Sequence, residues 1–185
     1  MRDPSPENQS RHEEDGAGTR TRRFLARRGV LLVKETRDID VLHTNYGYHL
    51  TVISLVLGIA NSGQGEASFG IRLEQFDPDG QCQGGAYLDL DELHELSGAL
   101  EYIQTIAGRM TGEQRDYTKV TYATRDNVRF GFYQSTESQQ AYTQIDEHLD
   151  MVFIPVAGLR DLRRAIDKAR AHLESKAGAC KKRTE

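Results

Sequence analysis

Asp38, Asp40, His43 and His49 fall close together near the start of the first apolar stretch. Carboxylates and imidazoles at such range could transfer protons or hold a metal ion. Their spacing is not that of ligands on one helix face, and no cysteine pair accompanies them. The segment reads instead as a polar connection leading into a buried strand. Asp77-Pro-Asp79-Gly80 opens like a calcium loop, but its glycine comes two positions early and Leu88 stands where the closing glutamate belongs. Gly63-Gln-Gly65-Glu-Ala-Ser68 falls one residue short of a dinucleotide fingerprint. It also precedes a strand, where a pyrophosphate would need a helix N-terminus. The run Gln139, Gln140, Tyr142, Gln144, Asp146, Glu147 and His148 is a polar loop without a nucleophile beside a base. No catalytic, metal or cofactor site is expected, and the chain is expected not to be an enzyme.

Cationic side chains offer a different chemistry. Arg20, Arg22, Arg23, Arg27 and Arg28 surround Phe24 and Leu25, an arm able to meet phosphates or an acidic partner. Arg22-Arg23 followed by Phe24-Leu25 has the outline of a twin-arginine export signal. The apolar run after it, Val30 to Val33, is too short for a signal core. The whole chain of 185 residues carries a net charge of −4, but unevenly. Residues 1–29 hold seven arginines against five acids, a net of +2, and 176–185 hold four cations against one acid, a net of +3. The body, 30–175, is therefore at −9. With 37% apolar residues and two cysteines, Cys82 and Cys180, a membrane protein and a disulfide-framed scaffold are both excluded. A cytoplasmic location is expected.

The elements that must carry these residues follow from periodicity. Residues 1–28 read as a disordered arginine-containing tail, with little to bury before Arg20. Val30 to Glu35 is a short strand. Tyr48 to Ala60 is a long strand apolar on both faces, with Ile53, Leu55, Leu57 and Ile59 on one and Leu50, Val52 and Val56 on the other. Such a strand is covered on both sides, and self-association is one way to cover it. Asn61 to Gly65 forms a turn, Ser68 to Phe76 the return strand, Asp77 to Gly80 another turn, and Gly85 to Leu88 a short strand. A helix follows, with Asp89 as N-cap and Glu92 completing a capping box. Leu93, Leu96, Leu100, Ile103 and Ile106 line one side of it, and it should stop near Gly108. After a polar connector, Thr111 to Asp116, the plan repeats. A hairpin turns at Arg125-Asp126-Asn127, a polar loop spans Ser135 to Glu147, Leu149 to Ile154 is a strand, and a helix carries Leu159, Leu162, Ile166, Ala169 and Leu173. Leu88, Leu93, Leu96 and Leu100 recur as Ile154, Leu159, Leu162 and Ile166 at a constant interval of 66 residues. That is the mark of an internal duplication. The expectation is an α+β fold of two tandem ββββα-like units, 29–110 and 117–175, with antiparallel sheets, two packed helices and a basic tail at 176–185.

Ile71 to Gly80 and Tyr87 to Leu96 give a strand, an acidic Pro/Gly turn, a short strand and a capped helix in that order. In this the chain resembles the Whirly proteins and the related transcriptional-coactivator family, which bind single-stranded DNA. The resemblance implies binding on an open sheet face. There it points to Lys119, Arg129 and Tyr133 in the second half and Arg72, with Tyr46 and His49, in the first. Arg22, Arg23, Arg27 and Arg28 are the arm's candidates. A body at −9 opposes a phosphate backbone. The leading expectation is therefore an interaction module that recognises protein and self-associates, with a single-stranded nucleic-acid binder as the alternative.

Overall fold

The computed structural model describes residues 18–60, 66–110, 112 and 116–181. The readings made for 1–17, for the turn 61–65, for most of the connector 111–116 and for 182–185 lie outside the described residues. The chain is α+β, with two antiparallel four-stranded sheets. The first sheet holds β1 (Leu32–His43), β2 (His49–Ile59), β3 (Ala67–Phe76) and β4 (Cys82–Asp89) in sequence order. The second holds β5 (Tyr117–Ala123), β6 (Arg129–Ser135), β7 (Gln139–Gln144) and β8 (Val152–Ile154), also in order. Helix α1 (Arg20–Leu25) precedes the first sheet, α2 (Glu92–Met110) follows it, and α3 (Gly158–Lys181) follows the second.

Each unit is thus four strands and a helix, as the 66-residue interval implies. Equivalent positions do equivalent work: Leu93, Leu96 and Leu100 on α2 and Leu159, Leu162 and Ile166 on α3 are all fully buried. The helices also meet at equivalent positions, because Arg163 Nε donates to Ser97 Oγ at 3.3 Å and the two residues stand 66 apart. The units do not fold side by side, however. Helix α2 packs on β5 and β6 of the second sheet as well as on β4 of its own, and α3 crosses β1, β2 and β3 of the first. One core therefore runs through both units, from Val52, Ile71 and Leu73 to Phe130, Phe132 and Ile154. Neither unit can bury its own apolar face without the other's helix.

Several boundaries move. β1 is not a short strand ending at Glu35 but continues through Asp38 and Asp40 to His43, with a bulge between Asp38 and Asp40. The polar segment is a strand because β2 is long enough to pair with all of it. The loop expected over Ser135 to Glu147 contains β7, since the backbone of Gln139 to Gln144 completes the ladder beside β6 despite polar side chains. Helix α3 runs on to Lys181, into the region read as a basic tail, and Lys176 meets Glu35 at 3.1 Å.

The tail 1–28 is also corrected, at residues 20–25. There α1 docks on the outer face of the first sheet, burying Thr21 and Phe24. Together α3 and α1 cover the two apolar faces of β2, so the argument for self-association drawn from that strand falls away. Docking needs Gly70, where a Cβ would lie 2.6 Å from Thr21 Oγ1 and 2.5 Å from the Leu88 carbonyl oxygen. It also needs Asp89. The Asp89 carboxylate accepts hydrogen bonds from Arg20 N at 2.7 Å, Thr21 N at 2.9 Å and Thr21 Oγ1 at 2.7 Å. The predicted N-cap of α2 therefore caps α1 instead. Only the other half of the capping box forms, with Asp89 N donating to Glu92 Oε2 at 3.0 Å.

Candidate functional site

Among the described residues the second sheet has no counterpart of α1, and its outer face is open. Register sets Lys119 opposite Tyr133 and Tyr133 opposite Gln140. The neighbouring row is Thr121, Gly131, Tyr142 and Phe153. Opposed residues share a face, and the alternate row, Val120, Phe132, Ala141 and Ile154, turns into the core. On the outer face Tyr117 stacks on Tyr133 with ring centroids 6.4 Å apart. Tyr133 in turn meets Phe153 edge-on at 5.8 Å. Tyr117 is 63% exposed, and Tyr133 and Phe153 are half-buried.

Beneath this row lies Tyr142, fully buried although it belongs to the outer face. Its ring crosses Gly131, where a Cβ would sit 2.9 Å from Tyr142 Cε1 and Oη. Its hydroxyl is 2.6 Å from Thr121 Oγ1. The Lys119 ammonium stands over the ring at 4.9 Å, a cation–π contact that holds the cation at the surface. Arg129 lies in the next row, between Ala123 and Gln144. Among the described residues no carboxylate is within ion-pair distance of Lys119 or Arg129. Aromatic faces beside uncompensated cations make a surface suited to flat, anionic, base-bearing ligands.

The other expected residues lie elsewhere, and most are engaged. Arg22 binds Asp126 Oδ2 at 2.6 Å, which holds its guanidinium above the usual range, and it also lies 5.7 Å from the Tyr87 ring. Arg72 reaches the same ring at 5.8 Å and pairs with Glu74 at 2.9 Å. Asp126 also accepts from Tyr87 N at 2.9 Å, so the turn between β5 and β6 is tied to the first sheet. Arg27 forks onto Glu66 and lies 4.6 Å from the Phe24 ring. Arg23 and Arg28 are exposed. Arg20, Arg23, Arg27 and Arg170 line a cleft of about 540 Å³ with Glu66, Asp91 and Glu174. There Arg20 and Arg27 already pair with Asp91 and Glu66, and Arg170 with Asp167. Despite the burial that opposes it, Asp91 is held below the ordinary carboxylate value by Arg125 and Arg20. The structure therefore places Lys119, Tyr133 and Arg129 on one face of the second sheet, with Arg129 two rows along from Tyr133, and ties Arg22 of the arm to the turn that precedes Arg129.

Of the acid and imidazole groups singled out in sequence, Asp40, His49 and Asp77 have structural partners. Asp40 lies 3.8 Å from Lys168, and His49 stacks on Phe76 at 4.7 Å. Asp77 Oδ1 accepts from Asp79 N and Gln81 N at 3.0 and 2.8 Å, closing the hairpin turn. Tyr46 is 73% exposed in a turn with a left-handed φ of 64°. No family model and no curated protein matches this chain. Its function must be read from its own surface.

Three residues of the open face escaped the sequence reading. Tyr117 was legible, because it alternates in phase with Lys119. Tyr142 lay in the segment read as a loop. Phe153 sits in a short strand whose register with Tyr142 turns it outward, whereas Phe130 and Phe132 are buried.

Proposed function

We propose that this chain is a binding module rather than an enzyme, and that its ligand is a single-stranded nucleic acid held on the outer face of the second sheet. One observation carries the reading: Tyr117, Tyr133 and Phe153 form a continuous aromatic row flanked by Lys119 and Arg129. Bases stack on the rings and phosphates meet the two cations, a mode that tolerates sequence. The resemblance to the Whirly and coactivator families supports the same use of a sheet face. Asp77, Asp89, Glu92 and Asp126 commit their oxygens to turns and helix ends, which supports a non-catalytic role. Among the described residues no helix is long and apolar enough to cross a membrane. The exposed thiol of Cys82 suits a reducing compartment, and the cytoplasm is our placement.

Fluorescence anisotropy with a labelled oligothymidylate tests this. Tyr133→Ala should weaken binding by roughly tenfold, since stacking contributes about 1–3 kcal/mol per base. Lys119→Ala with Arg129→Ala should reduce the slope of log affinity against log salt by about 1.4, or ~0.7 per single-strand phosphate contact. An absence of binding at low salt would refute the proposal.

A further inference from the structure

The first sheet ends in a free edge. β1 is 12 residues long, pairs with β2 alone among the described residues, and exposes every residue from Val33 to Asp38. That stretch contains neither glycine nor proline, and the bulge between Asp38 and Asp40 closes it. An unpaired edge of this kind is a template for another strand. Charge decides which strand fits. A two-fold axis normal to the sheet pairs residues at equal distances on either side of it, on the same face. With the axis on Thr36, Lys34 lies opposite Asp38 of a second copy and Glu35 opposite Arg37 of that copy, each pair occurring twice. Axes on Lys34, Glu35, Arg37 or Asp38 would each set a charge against its own like. The segment Val33-Lys-Glu-Thr-Arg-Asp38 is its own electrostatic complement in one register only.

The surroundings agree. Among the described residues Lys34 and Asp38 have no ion-pair partner, and both are exposed. On the other face Arg37 meets His172 at 3.4 Å, and Lys176 meets Glu35 at 3.1 Å. Three cationic or imidazole groups there face one carboxylate, and a second copy's Glu35 would bring Arg37 a countercharge. We propose that a second copy of this chain occupies the edge. β1 pairs antiparallel with β1 about a two-fold axis through Thr36, joining two four-stranded sheets into one of eight strands. The interface uses no residue of the aromatic face on the second sheet, so it stands or falls independently of the ligand proposed for that face.

Sedimentation velocity across a dilution series of the full chain tests the assignment. The wild type should show a concentration-dependent monomer–dimer equilibrium. Lys34→Asp and Asp38→Lys should each weaken dimerisation by roughly tenfold or more, because each reverses two equivalent cross-strand pairs. Mixing the two variants should restore dimers, since each charge then meets its opposite across the axis. Both positions are exposed, so circular dichroism of the variants should match the wild type. Opposed Cα atoms in an antiparallel pair are about 4.5–5.5 Å apart, within disulfide reach. Thr36→Cys, in a Cys82→Ser, Cys180→Ser background, should therefore form a covalent dimer on mild oxidation. A wild-type monomer at every concentration would overturn the proposal. So would a dimer insensitive to both reversals, or a failure of Thr36→Cys to cross-link.

Discussion

Replacing Asp89 separates two readings of the same residue. As the N-cap of α2, its loss would loosen the first turn of that helix. In the folded chain its carboxylate is 1% exposed and accepts three hydrogen bonds from α1. Arg125 and Arg20 add charges at 3.5 and 3.7 Å from Oδ2. A hydrogen bond to an ionised group contributes about 1.5–3 kcal/mol, and three sharing one carboxylate do not add in full. Asp89→Ala should therefore cost roughly 3–5 kcal/mol, capped by the free energy with which α1 docks. Asp89→Asn keeps one acceptor for Thr21 N and Thr21 Oγ1 but turns an NH2 group toward Arg20 N. It should cost about half as much, roughly 1.5–3 kcal/mol. Undocking uncovers Leu55 and Leu57, both fully buried in the intact fold, so binding of an apolar dye should rise with the loss of stability. Urea denaturation measures the cost, and amide exchange locates it. Protection should fall at Arg23 and Ala26, whose amides bond Thr19 O and Arg22 O at 3.1 Å, and should persist through α2. A stability within about 0.5 kcal/mol of wild type, or exchange that quickens in the first turn of α2 and not in α1, would refute the reasoning.

Two further outcomes follow from the packing and the ionisation. Gly131→Ala should destabilise the chain by about 1–3 kcal/mol or more, because its Cβ would fall 2.1 Å from the Val120 carbonyl oxygen as well as against Tyr142. Thermal denaturation should record the loss, and the Tyr142 ring resonances in an NMR spectrum should shift as its ring leaves the face. His172 is held below its ordinary value of 6.5 by partial burial and by Arg37 and Lys176. The unfolded chain therefore binds the proton more tightly. Its contribution is complete above pH 6.5 and declines as the pH falls through the folded value. His172→Gln should flatten that acid limb of the stability curve and leave the alkaline side unchanged.

Much of the fold was legible because its signals are local. The 3.6-residue spacing of Leu93, Leu96 and Leu100 and its recurrence at Leu159, Leu162 and Ile166 announce two helices and a duplication. Asp77-Pro-Asp79-Gly80 and Arg125-Asp126-Asn127 mark turns through backbone stereochemistry, and Asn127 does adopt a left-handed φ of 61°. Of the open face, alternation gave the shared outward phase of Lys119, Arg129 and Tyr133, and the family resemblance is what singled them out. The strand β7 was not, because Gln139, Gln140, Thr143 and Gln144 lack the apolar alternation of a strand. Its pairing is supplied by the backbone of β6.

The amino-acid sequence by itself determined the class, the repeat and which face of each helix must be buried, since each depends on residues a few positions apart. Tertiary structure alone decided which sheet each helix covers. The two helices pack against each other, so α3 lies across the first sheet while α2 bridges β4 and the second sheet. It also decided that Asp89 serves α1 and that Tyr142 lies flat over Gly131. Thr21 and Asp89 stand 68 positions apart, and nothing local signals their contact. Whether a carboxylate caps its own helix or another depends on which amides reach it once the core has closed.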